Sequence, residues 1–277
     1  MKLTFIGNGN MAKALIEGLV KNYEIEVLGR NKSTLKVLKE QLPQITTKVI
    51  EDKEDISGKN IVLCVKPYSL PDLAPKLSGE ADAIYSVLAG ISIESLKSKI
   101  KSEKYIRTMP NLGASYLKSM TTITGDETLK ESALNIFNQI GKSLWLSSEN
   151  ELDIATGVAG SGPAYLALIA ESLADGAVNQ GLKRADAQTL VQGLFEGFAP
   201  LIANENPAFI KDGVMSPGGT TAAGYAALER CSVRHGMMEA VGDAYAKARE
   251  LKLKNYEGKL SDKIRKYINH QRGKYIL

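Results

Sequence analysis

The stretch from Lys2 to Val20 leaves few folds open. An apolar run, Lys2 to Ile6, meets Gly7-Asn8-Gly9-Asn10-Met11-Ala12, and an amphipathic segment follows to Val20. The order is strand, glycine turn, helix. The spacing G-x-G-x-x-A is a dinucleotide-binding fingerprint with Ala in the third place. Gly7 permits the turn, Gly9 lets a pyrophosphate approach the backbone, and Ala12 allows the helix to pack closely on the strand. The alternative is a bare tight turn, but a strand before it and a helix after it are the context the fingerprint needs. Gly7, Asn8, Gly9, Asn10 and Met11 are therefore expected to bind cofactor.

A second strand, Ile25 to Leu28, leads into Gly29-Arg30-Asn31-Lys32. An acidic residue usually stands here when the ribose 2′-hydroxyl of NAD is held. This chain has Arg30 and Lys32 instead, with Asn31 and Ser33 as hydrogen-bonding neighbours. Such a loop suits a 2′-phosphate, so NADPH is preferred, with NADH possible. The alternative is that both cations are ordinary solvated charges.

Further strands are expected at 47–50, 60–65, 83–88 and 105–108, with helices near 33–41, 69–77 and 92–99. The alternation predicts a parallel, doubly wound sheet whose ligands sit beyond the carboxyl ends of its strands. Three more loops lie at those ends: Val65-Lys66-Pro67, Leu88-Ala89-Gly90 and Met109-Pro110-Asn111. Val65, Lys66, Pro67, Ala89, Gly90, Met109 and Pro110 are assigned to the cofactor. Asn111 can present an amide to cofactor or substrate, and is assigned to the substrate. Segments 119–124 and 143–146 extend the sheet edge around a helix at 127–139, with Trp145 as a packing residue and Cys64 as a buried strand residue.

From about Asn150 the strand signal ends. Residues 1–150 are read as a Rossmann domain and 151–277 as an all-helical domain. Gly160-Ser161-Gly162-Pro163 marks a kink or break between two helices, with Pro163 in a first turn. Helices near 164–170 and 193–202 are apolar around much of their circumference, which predicts burial against a second subunit; a compact monomeric bundle is the alternative. Val214 to Glu229 reads as a turn and a helix. Ser216 is the expected N-cap, Pro217 belongs to the first turn, and Gly218 and Gly219 allow close approach. Such a helix start suits a small anion, though it can also be no more than a cap. The tail after Tyr256 is basic and reads as a solvated helix or frayed end.

Composition removes other classes. The 277 residues carry a net charge of +4, with no dense basic block interleaved with aromatics, so nucleic acid is not an expected partner. No unbroken run of about 18 apolar residues exists, so no membrane span is expected. Two cysteines without a CxxC fit a reducing compartment, and the cytoplasm is the expected location. Two histidines give little support to a His-based triad or a metal cluster.

Several motifs then coincide. Ser216-Pro217-Gly218-Gly219-Thr220-Thr221, with Gly224 and Leu228-Glu229, stands beside the Gly7–Ala12 turn, Val65-Lys66-Pro67, Ala89-Gly90-Ile91, Met109-Pro110-Asn111 and Ser161-Gly162-Pro163-Ala164-Tyr165. Taken in this order and over nearly the whole length, the chain resembles the Δ1-pyrroline-5-carboxylate reductases. It departs in small ways: Cys64 precedes Val65 where a smaller residue is commoner, and Leu112 stands where Thr is frequent. The resemblance implies reduction of the C=N bond of 1-pyrroline-5-carboxylate to L-proline, the last step of proline biosynthesis. It implies that Ser216, Gly218, Gly219, Thr220 and Thr221 bind the substrate, and that Thr221 acts at the ring nitrogen as the catalytic residue. It also implies a homodimer through the helical domain, which in several members of the family assembles further into a decamer, and a substrate site completed by the partner subunit. A related β-hydroxyacid dehydrogenase is disfavoured, because Pro163 to Asn179 holds no catalytic lysine. A non-catalytic NADP(H) sensor would not need the Ser216–Thr221 element.

Overall fold

The structure, a computed structural model, describes residues 1–255. The basic tail after Tyr256 lies outside the described residues. The chain begins with β1 (Lys2–Ile6), α1 (Asn10–Leu19), β2 (Glu24–Gly29), α2 (Lys32–Gln41) and β3 (Thr46–Val49). Next come β4 (Glu54–Asp55), β5 (Asn60–Leu63), the short α3 (Leu70–Leu73), β6 (Leu77–Ser78) and β7 (Ala81–Ser86). They are followed by α4 (Ile93–Lys97), β8 (Ser102–Met109), β9 (Ser119–Gly125), α5 (Lys130–Phe137) and β10 (Gly141–Trp145).

Eight strands form one sheet in the order β10-β9-β8-β7-β5-β1-β2-β3. From β3 to β8 every neighbouring pair is parallel. Without the two outer strands the order is that of a doubly wound nucleotide-binding sheet, reversing between β1 and β5. The parallel sheet expected from sequence holds for β3 to β8, and one strand beyond it departs: β9 runs antiparallel to β8. The link from Met109 to Ser119 is too short for a crossover helix, so the chain folds straight back. β4 and β6 form a small separate ladder.

Alternation of side chains builds a core on each face. Phe5 packs with Leu15, Ile16, Tyr85 and Phe137 on the α1 and α5 side. Ile6 packs with Leu63, Leu70, Ile84 and Leu96 on the α3 and α4 side. Trp145 lies against the first core and donates its indole N–H to Glu127 at 3.0 Å.

Among the described residues two compact units result, residues 1–159 with 245–255, and residues 160–244. Where a kink or break is expected at Gly160–Pro163, the chain forms a widened turn between two α-helices. α6 (Glu149–Ala155) passes through a π-helical turn (Thr156–Gly160) before α7 (Gly162–Asn179). Pro163 does sit in a first turn, where its missing N–H leaves nothing unpaired. Joined this way, Glu149–Asn179 is long and apolar enough to cross a membrane by length and composition, although no single apolar run predicts it. The second unit contains α7 packed on α8 (Arg184–Asn204), then α9 (Pro207–Val214) and α10 (Thr220–Arg230). α11 (Val233–Asn255) closes the described chain. Leu168, Leu190, Leu194 and Phe198 remain exposed.

At the amino ends of the strands, Glu54 is 3% exposed and meets Lys48 at 2.6 Å and Lys59 at 3.1 Å. Lys59 also reaches Glu26 at 3.2 Å. Burial works against the Glu26 charge, but the hydrogen bond and charge of Lys59 prevail and hold its carboxyl below the usual range. Lys59→Met is expected to cost about 1–3 kcal/mol by leaving a buried acid short of a partner. A depressed carboxyl contributes stability above its unfolded pKa and loses it as pH falls through the folded value. Denaturant melts should therefore show a gap between parent and variant at neutral pH that narrows on acidification through about pH 4.

Candidate active site

The point where strand order reverses lies between β1 and β5, and there the two carboxyl ends touch. Gly7 has φ +109°, and a Cβ on it would stand 2.7 Å from the Cys64 carbonyl oxygen. Its N–H donates to Leu28 at 2.8 Å, while the Cys64 N–H donates to Ile6 at 2.9 Å. The turn is thus stitched to β2 and β5 at once. Gly9 differs: it is extended, and a Cβ there would meet nothing within 4 Å. α1 starts directly after it, with no side-chain cap and no acidic residue in its first turn. Open space beside uncapped N–H groups fits a pyrophosphate, so the residues present suit a dinucleotide. Ala12 is fully buried beneath the turn.

The β2 loop is shaped by its own capping. Asn31 Oδ1 accepts from the backbone N–H groups of Ser33 and Thr34 at 2.9 and 3.2 Å, closing the start of α2. Asn8 donates from Nδ2 to Thr34 Oγ1 at 2.8 Å and joins the glycine turn to this loop. Arg30 and Lys32 are exposed on either side of the cap. Asn31 is therefore first an N-cap, a use the sequence reading overlooked.

Val65, Lys66 and Pro67 follow β5, Ala89 and Gly90 follow β7, and Met109 ends β8 with Pro110 after it. Because these strands are parallel, all three loops open at the same edge as the Gly7 and Arg30 loops. Lys66 and Ala89 are exposed; Gly90 and Pro110 are buried. Asn111 is heavily engaged within this unit. Its Oδ1 accepts the Gly113 N–H at 3.0 Å, and its Nδ2 donates to the Ala159 carbonyl at 2.8 Å. One amide hydrogen and one Oδ1 lone pair are left for a ligand. Cys64 sits just beyond β5, and burial pushes its thiol well above the ordinary range, which keeps it unreactive.

One polar element escaped the sequence reading. Arg107 on β8 is almost wholly buried and pairs with Glu149 at 2.9 Å and Asp153 at 3.1 Å. An arginine between Ile106 and Thr108 in an inner strand, with two acids one helical turn apart further on, was the available signal.

In the second unit, Ser216 is not the N-cap of α10; Gly219 is. Ser216 to Gly219 form a turn closed by the Gly219 N–H on the Ser216 carbonyl at 3.0 Å, with Pro217 second and Gly218 third at φ +72°. Proline followed by a left-handed glycine is the pattern of a type II turn, which is why Pro217 lies before the helix and not in its first turn. A Cβ on Gly219 would stand 2.5 Å from Ser216 Oγ, so glycine lets that hydroxyl fold over the helix start. Thr220 and Thr221 are the first helical residues, and both are exposed. No side chain caps the start, so its N–H groups are available to an anion.

Residues 149–251 match a family model described as pyrroline-5-carboxylate reductase dimerisation, and residues 2–90 match one described as NADP oxidoreductase, coenzyme F420-dependent. A pyrroline-5-carboxylate reductase of Synechocystis is 37% identical over 265 residues, covering 91% of this chain and 98% of that protein. The chain belongs to the pyrroline-5-carboxylate reductase family. Solved members share its fold. The Streptococcus pyogenes 1-pyrroline-5-carboxylate reductase superposes with a TM-score of 0.79 at 29% identity, over 90% of this chain and 98% of that one. The Plasmodium falciparum pyrroline carboxylate reductase, solved with NADP bound, gives 0.72 at 27%, over 91% and 98%. Membership makes the chain an oxidoreductase with a nicotinamide cofactor.

The two fingerprint glycines should part company on substitution. Gly7→Ala meets the Cys64 carbonyl and a left-handed φ, and should lower stability by about 1–3 kcal/mol or more. Gly9→Val meets open space and should keep the melting temperature near the parent's while NADPH affinity falls. Thermal melts with and without NADPH read both effects.

Proposed function

We propose that this chain reduces the C=N bond of 1-pyrroline-5-carboxylate to L-proline with NADPH, as the last step of proline biosynthesis. The observation that carries the substrate assignment is the uncapped start of α10 behind the Ser216–Gly219 turn. A small carboxylate is the ligand such a helix start favours. Its backbone N–H groups, with Ser216, Gly218, Gly219 and Thr220, hold the substrate carboxylate. Thr221 Oγ hydrogen-bonds the ring nitrogen and keeps the proton there that the imine needs to become electrophilic. An imine is readily protonated, so a hydroxyl serves where a harder reaction would need a strong base. NADPH, when bound, supplies the hydride. The ring nitrogen ends as an N–H and the former imine carbon gains a C–H, which balances the reaction. The chain's task is placement of the two reactants and stabilisation of charge.

On the cofactor side, Gly7, Asn8, Gly9, Asn10 and Met11 receive the pyrophosphate. Arg30 and Lys32, spread by the Asn31 cap, receive a 2′-phosphate, which makes NADPH the preferred form and NADH the second. Val65, Lys66, Pro67, Ala89, Gly90, Met109 and Pro110 line the remainder of the cofactor edge. Asn111 offers its one remaining amide hydrogen to the substrate. The exposed leucines of α7 and α8 are covered by a second copy in a homodimer, which can assemble further into a decamer. The unpaired Cys64 and Cys231 fit a cytoplasmic location.

An absorbance assay at the NADPH band with 1-pyrroline-5-carboxylate tests the reading; no oxidation with either nicotinamide would defeat it. Thr221→Ala should cut turnover about ten- to a hundredfold with cofactor affinity little changed. Arg30→Asp should move preference from NADPH toward NADH. An unchanged NADPH-to-NADH ratio of kcat/KM would remove Arg30 from the phosphate site.

A further inference from the structure

Arg107 is 1% exposed, two residues before Met109 on β8. Its Nη1 meets Glu149 Oε1 at 2.9 Å and its Nη2 meets Asp153 Oδ1 at 3.1 Å. Asp153 is itself buried, and its other oxygen meets Lys252 of α11 at 3.3 Å. The Glu149 oxygen that binds Arg107 also accepts the N–H of Ile93 at 3.0 Å. Ile93 opens α4, three residues after Gly90. One carboxylate oxygen therefore joins the loop after β7 to the strand that ends in Met109-Pro110-Asn111. A second tie runs in parallel, since Asn111 holds the Ala159 carbonyl in the π turn that continues the helix bearing Glu149 and Asp153.

Burying such a group of charges is a poor way to gain stability. Desolvation costs several kcal/mol per ion, and apolar side chains of similar volume fill such a space at least as well. What the charges provide and apolar packing does not is direction: each hydrogen bond sets a separation and an angle. Widened helical turns likewise recur at functional sites more often than in plain scaffolding.

We infer that Glu149 is a positioning residue for cofactor binding. Held by Arg107, it sets the spacing between the Ala89-Gly90 loop and the Met109-Pro110-Asn111 loop. This rests on the proposal that both loops line the cofactor. Glu149 touches neither cofactor nor substrate and acts through the backbone it fixes.

The test compares Glu149→Ala with Glu149→Gln in the full chain. Asp153 still pairs with Arg107 in both, so both are expected to fold. The glutamine keeps an acceptor for Ile93 and Arg107, and the alanine does not. Nicotinamide fluorescence titration should show NADPH binding weakened about tenfold in Glu149→Ala, the size expected for losing a charge-assisted hydrogen bond. Glu149→Gln should stay within about threefold of the parent, since it retains the acceptor. The KM for NADPH should rise in Glu149→Ala while the KM for 1-pyrroline-5-carboxylate holds. If both variants bind NADPH like the parent and differ only in melting temperature, Glu149 is structural and the inference is overturned, with the cofactor reading intact. A parent chain that bound no NADPH would overturn the cofactor reading and this inference together.

Discussion

At Gly7 the chain leaves its first strand with φ +109° and passes so near Cys64 that a Cβ has no room. Most of the nucleotide edge depends on that close approach. It lets β5 lie directly beside β1, which puts the reversal of strand order next to the glycine turn. It also ends β1 early enough for α1 to start at Asn10 with uncapped N–H groups. A side chain at residue 7 would separate the two strand ends and spoil the anion site and the packing of Ala12 together. Asn8 extends the constraint outward by tying the same turn to the start of α2 through Thr34.

The two helix starts assigned to ligands reach the same chemistry by different routes. α1 follows a left-handed glycine and an extended one; α10 follows a proline–glycine turn. Both leave backbone donors unclaimed by side chains, unlike α2, whose start is closed by Asn31. An enzyme that brings a dinucleotide and a small carboxylate together needs two anion sites. On the proposed reading backbone N–H groups provide them without adding cations that would have to be buried or solvated.

The βα turn, the strand-end loops and the change to an all-helical second half were legible because each is a local pattern. Glycine spacing, alternation and alanine-rich periodicity all act within a few residues. The errors arose where distance or turn chemistry decides. Arg107 meets partners 42 and 46 positions away, so no window around it reveals the pairing. β9 turns antiparallel because its connection is short, a topological consequence that propensity does not carry. Ser216 looked like a cap because serine precedes a helix, yet Pro217-Gly218 completes a turn first and passes the cap position to Gly219. Asn111 was read only as a ligand group, whereas half of its side-chain hydrogen-bonding capacity also secures Gly113 and Ala159.

The central claim is that a nicotinamide hydride ends on the imine carbon of a substrate whose carboxylate the chain holds. NADPH carrying deuterium at the transferable position of its nicotinamide, incubated with the protein and 1-pyrroline-5-carboxylate, tests this directly by mass spectrometry of the product. The account predicts proline with deuterium on the carbon that was double-bonded to nitrogen. Proline without the label, or no proline at all, would contradict it.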